Sequence, residues 1–93
     1  MIKTFGDKTT KSIYEGDRPK GFSPDLIRKI RIRLNQIAIA VALSDLGNPP
    51  SNRLEAIKSV PGLYSMRVSQ QYRIVFRWSD AGAEDVLFCD YEH

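Results

Sequence analysis

The residues best equipped for chemistry in this 93-residue chain are basic, and they cluster in its second half. Arg67 and Arg73 flank a break at Ser69-Gln70-Gln71, and Tyr91 and His93 follow further on. Guanidinium groups fit phosphate oxygens bidentately. A phenol can carry a proton or stack on an unpaired base. His93 is the only imidazole, and so the only side chain that ordinarily titrates near neutrality. Lys58 and Arg53, just upstream, can add positive charge. This inventory suits phosphodiester chemistry. RNA cleavage by its own 2′-hydroxyl needs a base, an acid for the leaving oxygen, and positive charge facing the pentacoordinate phosphate.

Other chemistries are poorly served. Cys89 is the single cysteine, which excludes an internal disulfide and any zinc site built on paired cysteines. Gly-rich phosphate loops and metal-ligand spacings do not occur, so neither a cofactor nor a metal is expected. No apolar run is long enough to span a bilayer. The opening residues lack the basic-then-apolar order of a secretory signal, so a cytoplasmic protein is expected. The charge is unevenly placed. Residues 28–77 carry a net +7, and residues 80–92 a net −5, although the whole chain is only +3. Such asymmetry points to a polyanion better than the total does.

The elements that must position these residues are legible in the hydrophobic pattern. Residues 2–5 suit a short strand, residues 7–15 a short helix ended by Gly16, and residues 17–22 a loop. Ser23-Pro24-Asp25 is a helix start: Ser caps free amides, Pro suits the first turn, and Asp complements the positive end. Apolar residues then recur at Leu26, Ile27, Ile30, Leu34, Ile37, Ala38 and Val41, which predicts an amphipathic helix over about 24–46. Ile32 and Ile39 fall off that stripe. They are expected to pack on the first helix or on the loop at 18–22; exposed, they would be candidates for a partner contact. Residues 47–52 form a turn-rich connection and 53–57 a weak strand, followed by a loop at 58–62. Three clearer strands cover 63–69, 72–79 and 84–91. The class is α+β: one domain, with an N-terminal strand and two helices packed on a three- to four-stranded, mainly antiparallel sheet.

Alternation then sets the register. A three-residue turn at 69–71 pairs Val68 with Tyr72, Met66 with Ile74 and Tyr64 with Phe76, which gathers the apolar partners on one face. The same register opposes Arg67 to Arg73. Like charges directly opposed destabilise a sheet, which is more tolerable where they meet an anion. A five-residue turn at 79–83 would pair Trp78 with Glu84, set Cys89 opposite Arg73, and bring Tyr91 one diagonal away.

The runs Asn52-Arg53-Leu54-Glu55-Ala56-Ile57, Gly62-Leu63-Tyr64-Ser65-Met66-Arg67-Val68 and Gln71-Tyr72-Arg73-Ile74-Val75-Phe76-Arg77-Trp78, with Asp90-Tyr91 beyond, resemble the HigB family. These are plasmid maintenance killer toxins of the RelE/ParE superfamily, and Met1-Ile2-Lys3-Thr4-Phe5 resembles their opening. The resemblance implies a compact RelE-like, microbial-RNase-like fold. It also implies a toxin of a type II toxin–antitoxin pair that cleaves mRNA on the translating ribosome without a metal. Its implied partner is a HigA-like helix-turn-helix antitoxin, through which alone it would reach operator DNA. By the same resemblance Arg73, Tyr91 and, loosely, Lys58 are catalytic candidates, with Asp90 preceding Tyr91; His93 joins the catalytic candidates as the one imidazole, and Arg67, Arg53, Arg77 and Asp90 are the candidate RNA contacts. The family commonly ends Asp-Tyr-His; here Glu92 takes the His position and His93 stands one residue further. The superfamily hosts a second activity, ParE-like inhibition of a protein such as gyrase without RNA cleavage. A basic RNA-binding module without activity is a third reading of the same residues.

Overall fold

The computed structural model describes residues 1–90. Helix α1 (Lys8–Tyr14) starts at Asp7, whose carboxylate accepts from the Thr10 amide at 2.8 Å. Helix α2 (Pro24–Ile39) starts as the sequence predicts: Ser23 accepts from the Leu26 amide at 3.1 Å and Pro24 occupies the first turn. Two 3-10 turns (Leu43–Gly47 and Pro50–Asn52) lead to the strands β1 (Glu55–Ala56), β2 (Leu63–Arg67), β3 (Tyr72–Ser79) and β4 (Gly82–Asp90). Among the described residues they form one antiparallel sheet in sequential order.

The expected strand at residues 2–5 adds to this sheet in parallel. Ile2 bridges Ala83 and Phe5 bridges Val86. The Lys3 amide donates to Ala83 O at 2.7 Å and the Gly6 amide to Val86 O at 2.8 Å. Gly82 permits this closeness. Its φ is +119°, and a Cβ there would lie 2.5 Å from the Met1 carbonyl oxygen.

The core lies between the helices and one face of the sheet. Ile13, Ile27, Ile30, Leu34 and Ile37 meet Met66, Val68, Ile74, Phe76, Ala83 and Val86, all buried. The pairing of β2 with β3 follows the predicted register, Tyr64 with Phe76, Met66 with Ile74 and Arg67 with Arg73.

Two expectations are corrected. Helix α2 ends at Ile39, not near residue 46, and Val41 is 91% exposed. A continued helix would turn Ser44 and Asp45 inward once the apolar stripe runs out after Val41. Instead the backbone becomes extended at Ala40, and the Asp45 carboxylate accepts from the Val41 and Ala42 amides, both at 3.0 Å. Those two bonds hold the Asp45 carboxyl below its usual range. The break brings Leu46 into the core, where it is 1% exposed.

The hairpin of β3 and β4 is tighter than expected. Ser79 pairs with Gly82 across a two-residue turn, so Trp78 faces Ala83 and not Glu84. One extra residue in β4 restores the predicted register by Val75–Leu87 and Arg73–Cys89. Ala83 and Val86 explain the bulge. They are three apart, of opposite parity in a regular strand, yet both are fully buried. Asp85 supplies the turn with φ +54°, a conformation Asp tolerates better than most residues. Asp85→Val places a β-branched side chain in that conformation. It should lower unfolding free energy by about 1–3 kcal/mol, measurable by urea titration; an unchanged midpoint would mean the bulge shifts at no cost.

Candidate functional site

The sheet face away from the core carries three of the predicted cations, Arg67, Arg73 and Arg77. On this face the register builds cross-strand rows. Arg67, Arg73 and Cys89 form the first, Ser65, Val75 and Leu87 the second, and Leu63, Arg77 and Glu84 the third. Neighbouring strands lie about 4.8 Å apart. The two half-buried arginines of the first row are therefore forced close together by backbone pairing alone. A row of two guanidinium groups beside an apolar strip can receive an anion whose other parts stack or bury.

Each side chain in the first row is held. Arg67 Nε donates to Ser69 O at 3.3 Å, which curls the side chain toward the β2–β3 turn. Arg33 Nε from α2 donates to Arg67 O at 3.0 Å and pins the end of β2 to the helix layer. Arg73 interacts with the Cys89 thiol across the strands. Burial pushes the Cys89 thiol pKa up, and the adjacent Arg73 opposes that shift without cancelling it. The thiol should therefore stay protonated at neutral pH and gain thiolate only above the usual thiol range. Alkylation by iodoacetamide at pH 8 should run at least several-fold slower than for a free cysteine. Alkylation at the free-thiol rate would contradict that placement.

The remaining predicted residues divide. Arg53 lies beside Arg67 in a groove at the sheet edge, held in the left-handed region at φ +46°. Arg77 is exposed two rows from Arg73, with its Nε 3.5 Å from an Asp85 carboxylate oxygen. Asp90, exposed, pairs with Tyr72 next to the first row. Lys58 is not brought to that row. It sits in the loop after β1, where the Ile57 amide donates to Leu63 O, at the end of β2 away from Arg67. Four residues of strand separate those ends, roughly 13 Å. Tyr91 and His93 lie outside the described residues, and with them the predicted convergence of Tyr91 on Arg73.

Three contributors were absent from the sequence-based set. Lys29 and Arg33 line the groove beside Arg53 and Arg67. Their spacing of four on one helix was the available signal. Asn52 is fully buried, and its Nδ2 reaches Gln36 Oε1 at 3.0 Å, Leu46 O at 3.1 Å and Asn48 O at 3.2 Å. It anchors the loop that presents Arg53. Ile32 and Ile39, expected to pack on α1 or the loop at 18–22, are instead exposed, at 39% and 79%. They point away from the stripe that meets the core, and the early end of α2 leaves Ile39 beside the exposed Val41.

Among the described residues, no three His, Cys, Asp or Glu side chains group as metal ligands. No described helix is long and apolar enough to cross a membrane.

Residues 3–92 match the family described as RelE-like toxin of type II toxin–antitoxin system HigB. The chain is 38% identical over 85 residues to Toxin HigB-1 of Vibrio cholerae serotype O1, an alignment covering 89% of this chain and 90% of that protein. It is 29% identical over 78 residues to an uncharacterized protein of Haemophilus influenzae, covering 82% and 77% of the two chains.

Proposed function

This chain belongs to the HigB-like, RelE-like toxins of type II toxin–antitoxin systems, and from that premise we propose that it is a ribosome-dependent endoribonuclease acting on translating mRNA. The observation that carries the reading is the Arg67–Arg73 opposition on the sheet face away from the core. Two cations kept together by strand register form a prepared site for phosphate charge.

The reaction is transesterification. The 2′-hydroxyl loses its proton to a base and its oxygen bonds to the adjacent phosphorus. The bond from phosphorus to the 5′-oxygen breaks, and that oxygen takes a proton from an acid. The products are a 2′,3′-cyclic phosphate and a 5′-hydroxyl. Arg73 takes the non-bridging oxygens, with Arg67 beside it sharing the charge. Tyr91 and His93 are assigned as the proton carriers. Arg53, Arg77 and Asp90 contact the RNA further along, and Lys58 adds charge at the far end of β2.

A type II toxin has an antitoxin partner. Here we assign a HigA-like helix-turn-helix protein, with operator DNA bound through it. Ile32 and Ile39 are available to that contact because they are exposed.

The test uses purified protein, ribosomes programmed with a defined mRNA, and primer extension. Cuts in ribosome-bound mRNA, lost when the nucleotide before the cut is 2′-deoxy, are the expected result. Intact mRNA in the presence of a protein that arrests growth would overturn the nuclease reading. DNA-damage signalling in those cells would then favour the ParE-like activity.

A further inference from the structure

The basic groove at the sheet edge extends the cationic surface beyond the Arg67–Arg73 row. It encloses about 550 Å³ between α2, the second 3-10 turn and the end of β2. Lys29, Arg33, Arg53 and Arg67 line it, and no carboxylate does. Four cations around one opening repel one another, and nothing in the lining offsets that repulsion. Asp25, 3.3 Å from Lys29, lies outside the lining set. Burial lowers the Arg33 pKa from its ordinary value. Two of these cations have anchored side chains, and the backbone of a third is held. Arg33 is bonded to the β2 backbone, Arg67 to Ser69 O, and Arg53 follows the buried Asn52. The Arg53 amide donates to Pro50 O at 3.0 Å, closing the turn that carries it.

We propose that this groove is a phosphate-backbone track for single-stranded RNA, running from Lys29 and Arg33 past Arg53 to Arg67, which delivers the strand to Arg73. Arg67 belongs both to the groove and to the first row on the sheet, so the track is continuous with the scissile site. The spacing of the cations along a helix, a turn and a strand end follows an extended polyanion better than one compact phosphate. The lining includes no aromatic residue to stack bases, so the track reads charge and not sequence. The purpose of the track rests on the ribonuclease reading; its binding of RNA does not.

The test measures binding apart from cleavage. A fluorescein-labelled, fully 2′-O-methylated 12-nucleotide RNA cannot be cut, and its anisotropy reports affinity as salt is varied. The comparison is wild type against the Lys29→Gln, Arg33→Gln, Arg53→Gln triple variant, with far-UV circular dichroism and melting as fold checks. Each lost contact should reduce the slope of log affinity against log salt by about 0.7, so the triple variant should lose about two. Its affinity at 0.1 M salt should fall at least tenfold. If removal of Arg33 unfolds the chain, the Lys29→Gln, Arg53→Gln double variant is read instead, with a slope loss of about 1.4. Equal slopes for a folded variant and wild type would overturn the proposal, as would failure of wild type to bind the oligonucleotide. Weakened antitoxin binding with unchanged RNA binding would also overturn it and make the groove a protein interface. A groove that binds RNA in a protein that leaves ribosomal mRNA intact would refute the nuclease reading and leave the track standing.

Discussion

Arg73→Ala should lower cleavage of ribosome-bound mRNA by about 10²–10³-fold and abolish growth arrest on expression. Arg73 sits in β3 with a strand on either side, opposed to Arg67 in β2 and to Cys89 in β4. Arg77 shares β3 but lies two rows away, between Leu63 and Glu84, with its Nε 3.5 Å from an Asp85 carboxylate oxygen. On the proposed mechanism a guanidinium there would donate two bonds to the equatorial oxygens as their charge grows, an effect a neighbour could not restore from another row. The fold should survive. The substitution relieves a like-charge opposition while it removes the contact with Cys89, two small effects of opposite sign. Arg73→Lys should recover only part of the rate, because a point charge replaces a planar fork. Circular dichroism and melting should match wild type in both variants. Cleavage by Arg73→Ala at the wild-type rate would remove the residue from the site.

The largest effect on stability should come from a residue with no part in the chemistry. Asn52→Ala is expected to cost about 2–4 kcal/mol, a fall in melting temperature of roughly 10–20 °C for a domain of this size. The Asn52 amide serves Gln36, Leu46 and Asn48 from a fully buried position. Truncation leaves buried acceptors unsatisfied and opens a void beneath the two 3-10 turns. Asn52→Asp should be worse, since it sets an acceptor against three acceptors. Because Arg53 is held at φ +46° directly after it, the same variants should weaken RNA binding even where they fold. An Asn52→Ala protein that melts within a few degrees of wild type would show that the loop is held by other means.

The parts of this molecule that alternate regularly were legible in its sequence. The Arg67–Arg73 opposition followed from parity, because only one register buries Tyr64, Met66 and Val68 against Phe76, Ile74 and Tyr72. The start of α2 followed from Ser23-Pro24-Asp25, where the capping chemistry is local. What escaped depends on contacts between distant segments. The end of α2 is decided by Asp45 reaching back to two amides and by Leu46 finding the core. The bulge at Asp85 is decided by Ala83 and Val86 both needing burial beside residues 2–5. Asn52 belonged to a recognised run, but its work is done through Gln36 and Leu46, which no local pattern links to it. The groove was missed for the same reason: its cations come from a helix, a turn and a strand separated along the chain.

Residues 1–6 and 82–86 meet across about eighty intervening positions, and that separation sets how the molecule comes together in time. Closing so long a loop costs about 4 kcal/mol in chain entropy, so this seam forms late, after the β2–β3–β4 hairpins have made the edge on which it docks. Contacts made after the folding barrier govern the rate of escape from the native state and leave the rate of entry nearly unchanged. The close approach of Gly82 to Met1 thus acts as a latch on lifetime: loosening it would shorten the survival of each folded toxin without slowing its production.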